Sequence, residues 1–189
     1  FLPDGEGVQL GRSAKFWGQH VWLPLQGVAV LINAFNFPAW GFAEKAACSI
    51  LAGVPVIAKP ATSSAMVTER CLEVLVDAGV LPAGVMSLIC GSTGDLVSRL
   101  GSHDVLAFTG SADTALLLRR GENLLTSNTR VNIEADSLNA ALLVPDAADA
   151  TYDCFIRDLH REMTQKAGQK CTATRRVLVP HDLVDEVIE

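Results

Sequence analysis

Apolar residues between positions 28 and 119 fall into short unbroken runs, separated by longer stretches in which they recur every three or four places. The runs at 28–32, 54–58, 85–89 and 105–108 are dominated by Val, Ile, Leu and Ala and predict strands. The stretches at 41–51, 65–76, 95–100 and 113–119 predict helices. Strands that are apolar throughout are buried on both faces, so the alternation predicts an α/β, doubly wound parallel sheet with helices on each side. Past residue 121 the rhythm changes: 126–130 reads as a polar loop, 131–134 as a short strand and 138–144 as another. Tyr152, Phe155, Ile156, Leu159 and Met163 then recur at helical spacing, 175–179 reads as a strand ended by Pro180, and 183–189 as a helix. Ahead of the first apolar run, 1–24 has no core pattern, and its strand-like pieces at 7–10 and 20–23 predict an extended ribbon. The organisation expected is therefore a ribbon (1–24), a doubly wound domain (25–134) and the beginning of a second α/β domain (135–189).

Composition narrows the classes. The chain has 189 residues, 49% hydrophobic and 19% charged, enough for one buried core and part of another. A net charge of -6 with no basic stripe argues against a nucleic-acid partner. Apolar runs are broken by Asn and Pro well short of a membrane span and no signal segment opens the chain, so a cytoplasmic location away from membranes is expected. Five cysteines, at 48, 71, 90, 154 and 171, include no C-x-x-C pair, which argues against a disulfide framework and a zinc site; no metal is expected. The chain opens on Phe1 and stops inside a predicted helix, so it reads as an internal piece of a longer protein, inactive by itself.

Candidate chemistry lies just after the strands, where ligands bind in doubly wound sheets. Asn36 follows the first apolar strand in Asn33-Ala34-Phe35-Asn36-Phe37-Pro38. The second strand leads into Lys59-Pro60-Ala61-Thr62-Ser63-Ser64, and the strand at 105–108 into Thr109-Gly110-Ser111. Helix starts beside a lysine favour anions such as nucleotide phosphates; equally, Thr62, Ser63 and Ser111 are ordinary helix caps. No G-x-G-x-x-G follows the first strand. Glu134 lies among Val131, Ile133 and Ala135, a neighbourhood that, if buried, raises a carboxylate toward the range a general base needs; the alternative is an exposed strand end. In Lys166-Ala167-Gly168-Gln169-Lys170-Cys171-Thr172 a cysteine occupies a small polar turn between helix and strand, and two nearby lysines favour its nucleophilic thiolate.

Asn-Phe-Pro, Lys-Pro-Ala, Phe-Thr-Gly-Ser, an isolated Glu and Gly-Gln-Lys-Cys-Thr, in that order, resemble the aldehyde dehydrogenase superfamily from about residue 25 to the end. Through Ile32 to Pro38, Ile133-Glu134-Ala135-Asp136-Ser137-Leu138-Asn139 and the cysteine turn, the chain resembles the aldehyde dehydrogenase halves of bifunctional ring-opening enzymes of phenylacetate degradation. It is also similar to the semialdehyde dehydrogenases of benzoyl-CoA catabolism. The resemblance implies a Rossmann-like fold and NAD(P)-dependent oxidation of an aldehyde, CoA-linked in these branches, to an acid through a cysteine thiohemiacetal and thioester. It makes Cys171 the nucleophile, Glu134 the general base and Asn36 an oxyanion donor. It places Lys59 at the adenosine ribose, Gly110 and Ser111 at the pyrophosphate, and Ile32 and Phe35 beside the nicotinamide. It also implies that the ribbon builds a subunit interface, giving a homo-oligomer such as a dimer. Thr62 stands where NAD-preferring relatives often carry Glu, which implies NADP as the preferred cofactor and NAD as the other. Asp136-Ser137 departs from the Gly-Gly that the broad family has after the Glu. An acyl-CoA or acyl-phosphate reductase on the same fold and a catalytically silent relative remain as alternatives; a reductase has no need of Glu134, and a silent relative is expected to lose Cys171 or Asn36.

Overall fold

A computed structural model of the chain describes residues 5–146 and 149–188. Positions 1–4 of the expected ribbon and Glu189 of the last expected helix lie outside the described residues. Five strands, β3 (Ala29–Ile32), β4 (Val56–Lys59), β5 (Met86–Leu88), β6 (Val105–Gly110) and β7 (Arg130–Ala135), follow a short antiparallel pair, β1 (Val8–Gln9) and β2 (Trp17–Gly18). The five form one all-parallel sheet in the order β5-β4-β3-β6-β7. The doubly wound expectation holds, and the order reverses between β3 and β6.

Side-chain alternation along β3 assigns its two faces. Ala29 and Leu31 pack with Val54, Val56 and Ala58 and with Phe42 and Ala46 of α1 (Trp40–Leu51), while α2 (Ala65–Asp77) adds Cys71 and Leu75 to that face. Val30 points the other way, to Leu100, Leu106 and Leu124. Each fully buried Leu, Val or Phe in these clusters contributes roughly 1.5–3 kcal/mol, so the two-sided core holds the sheet edge that carries the site.

Several local expectations are corrected. The second ribbon strand is Trp17–Gly18, not 20–23, where Val21, Trp22 and Leu23 stay exposed ahead of Pro24. The stretch at 95–100 forms a single 3-10 turn, Leu96–Arg99, in place of an α-helix; Ser98 turns its hydroxyl back to the Asp95 carbonyl at 2.7 Å. After α3 (Ala112–Arg119) comes an unanticipated short helix, α4 (Glu122–Thr126), because Leu124 drops into the core and overrides the polar local pattern. The 131–134 strand belongs to the main sheet as β7, an edge. The 138–144 strand does not: β8 (Asn139–Leu142) pairs in parallel with β9 (Thr174–Leu178), flanked by α5 (Asp149–Thr164) and followed by α6 (Val184–Ile188). Among the described residues no helix is long and apolar enough to cross a membrane.

Candidate active site

The carboxyl ends of β3, β4, β6 and β7 face the turn between α5 and β9 across a cleft of about 870 Å³. From the sheet side Ile32, Phe35, Asn36 and Lys59 line it, with Gly110, Ser111 and Glu134 beyond the strand reversal; Cys171 lines it from the turn. Eight of the nine residues singled out in the sequence thus meet in one place. Thr62 does not. It is exposed and opens a single 3-10 turn, Thr62–Ser64, between β4 and α2.

The cysteine turn is conformationally unusual. Lys166 and Ala167 both sit at φ 54° and Gly168 at φ 70°, so two residues with side chains occupy the left-handed region that only glycine enters freely. Such a run persists only where its surroundings over-determine it. Here the Lys166 ammonium donates to the Asn36 carbonyl at 3.1 Å and lies 3.6 Å from the centre of the Phe37 ring. Asn36 Nδ2 donates to the Gln169 carbonyl at 2.7 Å, and Arg175 donates to the Gly168 carbonyl at 2.7 Å. The turn is therefore fastened on one side to the loop after β3 and on the other to β9. Asn139 completes the frame, donating from Nδ2 to the carbonyls of Cys171 and, at 3.3 Å, Ala173.

This frame modifies two expectations. The lysines flanking Cys171 have their own partners: Lys166 turns to Phe37, and Lys170 bonds Glu162 at 2.6 Å and Gln165 at 2.8 Å. The hydrogen bond from Lys170 holds the Glu162 carboxyl below its ordinary value, outweighing the desolvation that raises it. Glu134, opposite Thr109 in the β6–β7 register, is exposed on the edge strand, so of the two readings left open by the sequence the exposed strand end holds. Asn36 keeps a second amide N–H beyond the one given to Gln169, which leaves a donor beside the cysteine turn.

At the head of α3, Ser111 accepts from the Thr114 N–H at 3.3 Å, the ordinary capping role that was the alternative to phosphate contact. Ser64, at the N-cap of α2, makes no such cap, and Thr62 lies inside the 3-10 turn, whose N-cap is Ala61. A Cβ on Gly110 would stand 2.6 Å from the buried Phe108 ring, so this position admits only a bare backbone. Sequence reasoning missed two polar residues on the cleft floor. Asn33 and Thr109, at the ends of adjacent strands β3 and β6 and on the same face of the sheet, have buried side-chain atoms with no hydrogen-bond partner among the described residues. An unsatisfied buried polar group costs roughly 1–3 kcal/mol, so this floor is completed when a polar ligand or water reaches it. The only signal in the sequence was their place at strand ends. Among the described residues no three His, Cys, Asp or Glu side chains gather as a metal site.

The family profile described as aldehyde dehydrogenase family matches residues 4–189. A 3,4-dehydroadipyl-CoA semialdehyde dehydrogenase of Aromatoleum evansii is 52% identical over 181 residues, covering 95% of this chain and 35% of that protein. A non-phosphorylating aspartate-semialdehyde dehydrogenase of Halomonas elongata is 34% identical over 86% of the chain and 32% of its own length. Among solved structures, the betaine aldehyde dehydrogenase of Staphylococcus aureus in complex with NAD+ superposes with a TM-score of 0.75 at 25% identity, over 86% of this chain and 32% of that one. The chain spans about a third of the length of these relatives.

Proposed function

The chain belongs to the aldehyde dehydrogenase family, and from that premise we propose that the complete protein oxidises an aldehyde to the acid with a nicotinamide dinucleotide, through a covalent intermediate on Cys171. The observation that carries this reading is the single cleft shared by Cys171, Asn36 and Glu134 with Lys59, Gly110 and Ser111. The two unsatisfied polar side chains on its floor, the bare backbone at Gly110 and the Lys59 ammonium fit a polar, phosphate-bearing cofactor.

In this mechanism the Cys171 thiolate attacks the aldehyde carbon and the carbonyl oxygen becomes an alkoxide. The free N–H of Asn36 and the backbone N–H of Cys171 stabilise that charge. The bound nicotinamide supplies the hydride acceptor, and loss of hydride from the carbon leaves a thioester on Cys171. Glu134 then takes a proton from water, whose oxygen attacks the thioester carbon; the acid departs and the thiolate is restored. An exposed edge-strand position gives Glu134 access to that water. The 52% identity to a CoA-semialdehyde dehydrogenase supports a CoA-linked semialdehyde from aromatic-ring breakdown as substrate. The test is formation of reduced nicotinamide by the complete protein on addition of such a semialdehyde; no reduction with any aldehyde overturns the reading.

NADP is the cofactor expected. Thr62, three residues past Lys59, is neutral and exposed at the entry to α2, so a 2′-phosphate there meets an ammonium and hydroxyls with no carboxylate to repel it. Contacts of this kind give about a ten-fold preference or more. The ratio of kcat/KM for NADP over NAD measures it, and Thr62→Glu should swing that ratio toward NAD. A wild type that prefers NAD, or an unmoved ratio in the variant, assigns selectivity to other residues.

The ribbon gives a separate expectation. Trp17, Val21, Trp22 and Leu23 are 58–79% exposed on a segment with no core of its own, a surface suited to a second subunit. The complete enzyme should scatter light as an oligomer at micromolar concentration, and a monomer would remove this role from the ribbon.

A further inference from the structure

The end of β7 carries a second carboxylate that the proposed reaction does not use. Asp136, two residues after Glu134, sits at φ 51°. Glycine would meet that backbone requirement without strain, so what Asp136 adds is its carboxylate. Its N–H donates to the Gly110 carbonyl at 3.2 Å, continuing the β6–β7 ladder, and its Oδ1 accepts from the Ala112 N–H at 3.1 Å. Ala112 is the first residue of α3, and Asp136 lines the same cleft as Gly110, Ser111 and Glu134. The carboxylate thus fastens the end of the Glu134 strand to the positive end of a helix.

The same helix end is where the cofactor reading puts a phosphate, and the present inference rests on that reading. A phosphate and Asp136 are both anions, both suited to the N–H groups at the head of α3, and like charges so placed disfavour each other. We propose that Asp136 is a positioning residue that couples cofactor phosphate binding to Glu134. Without cofactor its carboxylate holds Ala112 N–H and fixes the end of β7 against α3. A phosphate arriving at Gly110 and Ser111 displaces the carboxylate, and the strand end bearing Glu134 is released. A plain structural cap would give the opposite response, because a ligand bound beside it would only tighten the segment.

Two variants of the complete enzyme separate these outcomes. Asp136→Asn keeps the shape, the acceptor and the tolerance of positive φ but removes the charge; Asp136→Gly removes the tether without backbone strain. NADP affinity, read by titration calorimetry without aldehyde, should rise about three- to ten-fold in both variants. Hydrogen exchange over residues 134–137 should be faster in wild type with saturating NADP than without it, and fast in both states in Asp136→Gly. Unchanged affinity in Asp136→Asn, or exchange slowed by NADP in wild type, overturns the coupling. Wild-type enzyme that binds neither NADP nor NAD overturns the cofactor reading as well, whereas binding that is intact but indifferent to Asp136 overturns this inference alone.

Discussion

Cys171→Ala in the complete enzyme should lower aldehyde oxidation by about 10⁴-fold or more, because among the described residues Cys171 is the only thiol lining the cleft and the proposed reaction carries its acyl group on that sulfur. Cofactor affinity should stay within about two-fold of wild type, since the side chain belongs to the reacting end and carries no charge toward the phosphates. The substitution is mild structurally. Cys171 is exposed, and the bonds that fasten its turn run through Lys166, Asn36, Arg175 and the Cys171 carbonyl, all unaffected by loss of Sγ. Cofactor titration together with steady-state rates checks both halves. Retained oxidation would place the nucleophile elsewhere.

Glu134→Gln should separate the two half-reactions. The thiolate still attacks and hydride is still lost, so a pre-steady-state trace should show a burst of about one reduced cofactor per site. Water activation is then missing, and turnover after the burst should fall by about 10²- to 10⁴-fold, the usual contribution of a positioned base. The isosteric amide leaves the β6–β7 ladder intact, because that ladder uses only the backbone of Glu134. A variant that turns over at the wild-type rate would remove Glu134 from the base role, and one with no burst would give it a part in acylation.

What the sequence made legible divides along physical lines. Strands β3, β4 and β6 lie inside the sheet with apolar packing on both faces, so their apolar runs announced both their existence and their parallel pairing, and with them the ends on which Asn36, Lys59 and Gly110 stand. The ordered motifs assigned the cleft residues that spacing left ambiguous. Lost to sequence were features decided by long-range contact. Leu124 made a helix out of a polar stretch by reaching a core that local pattern does not show. The partners of the lysines flanking Cys171, Glu162 for Lys170 and the Phe37 ring for Lys166, come from distant or helical segments that the local motif does not show. For Glu134 the sequence left burial and an exposed strand end both open, and only its place on an edge strand decides for the exposed one. The strain at Lys166 and Ala167 was equally hidden, since neither residue type announces a positive φ.

The order β5-β4-β3-β6-β7 sets a sequence of events for a chain emerging from the ribosome. β3 is the first of the five strands to be made and the central one in the sheet. Its pairing with β4, and of β4 with β5, closes over one helix at a time and is complete by residue 88. Its other edge waits for β6, which begins at Val105. Throughout that interval Val30 has neither Leu106 nor Leu124 to cover it, and the nascent sheet offers an open row of backbone donors and acceptors beside an apolar face. That interval is when the chain is most exposed to chaperones and to pairing with its own copies, so synonymous codons that slow synthesis between β5 and β6 should lower the soluble yield while leaving the finished enzyme unchanged.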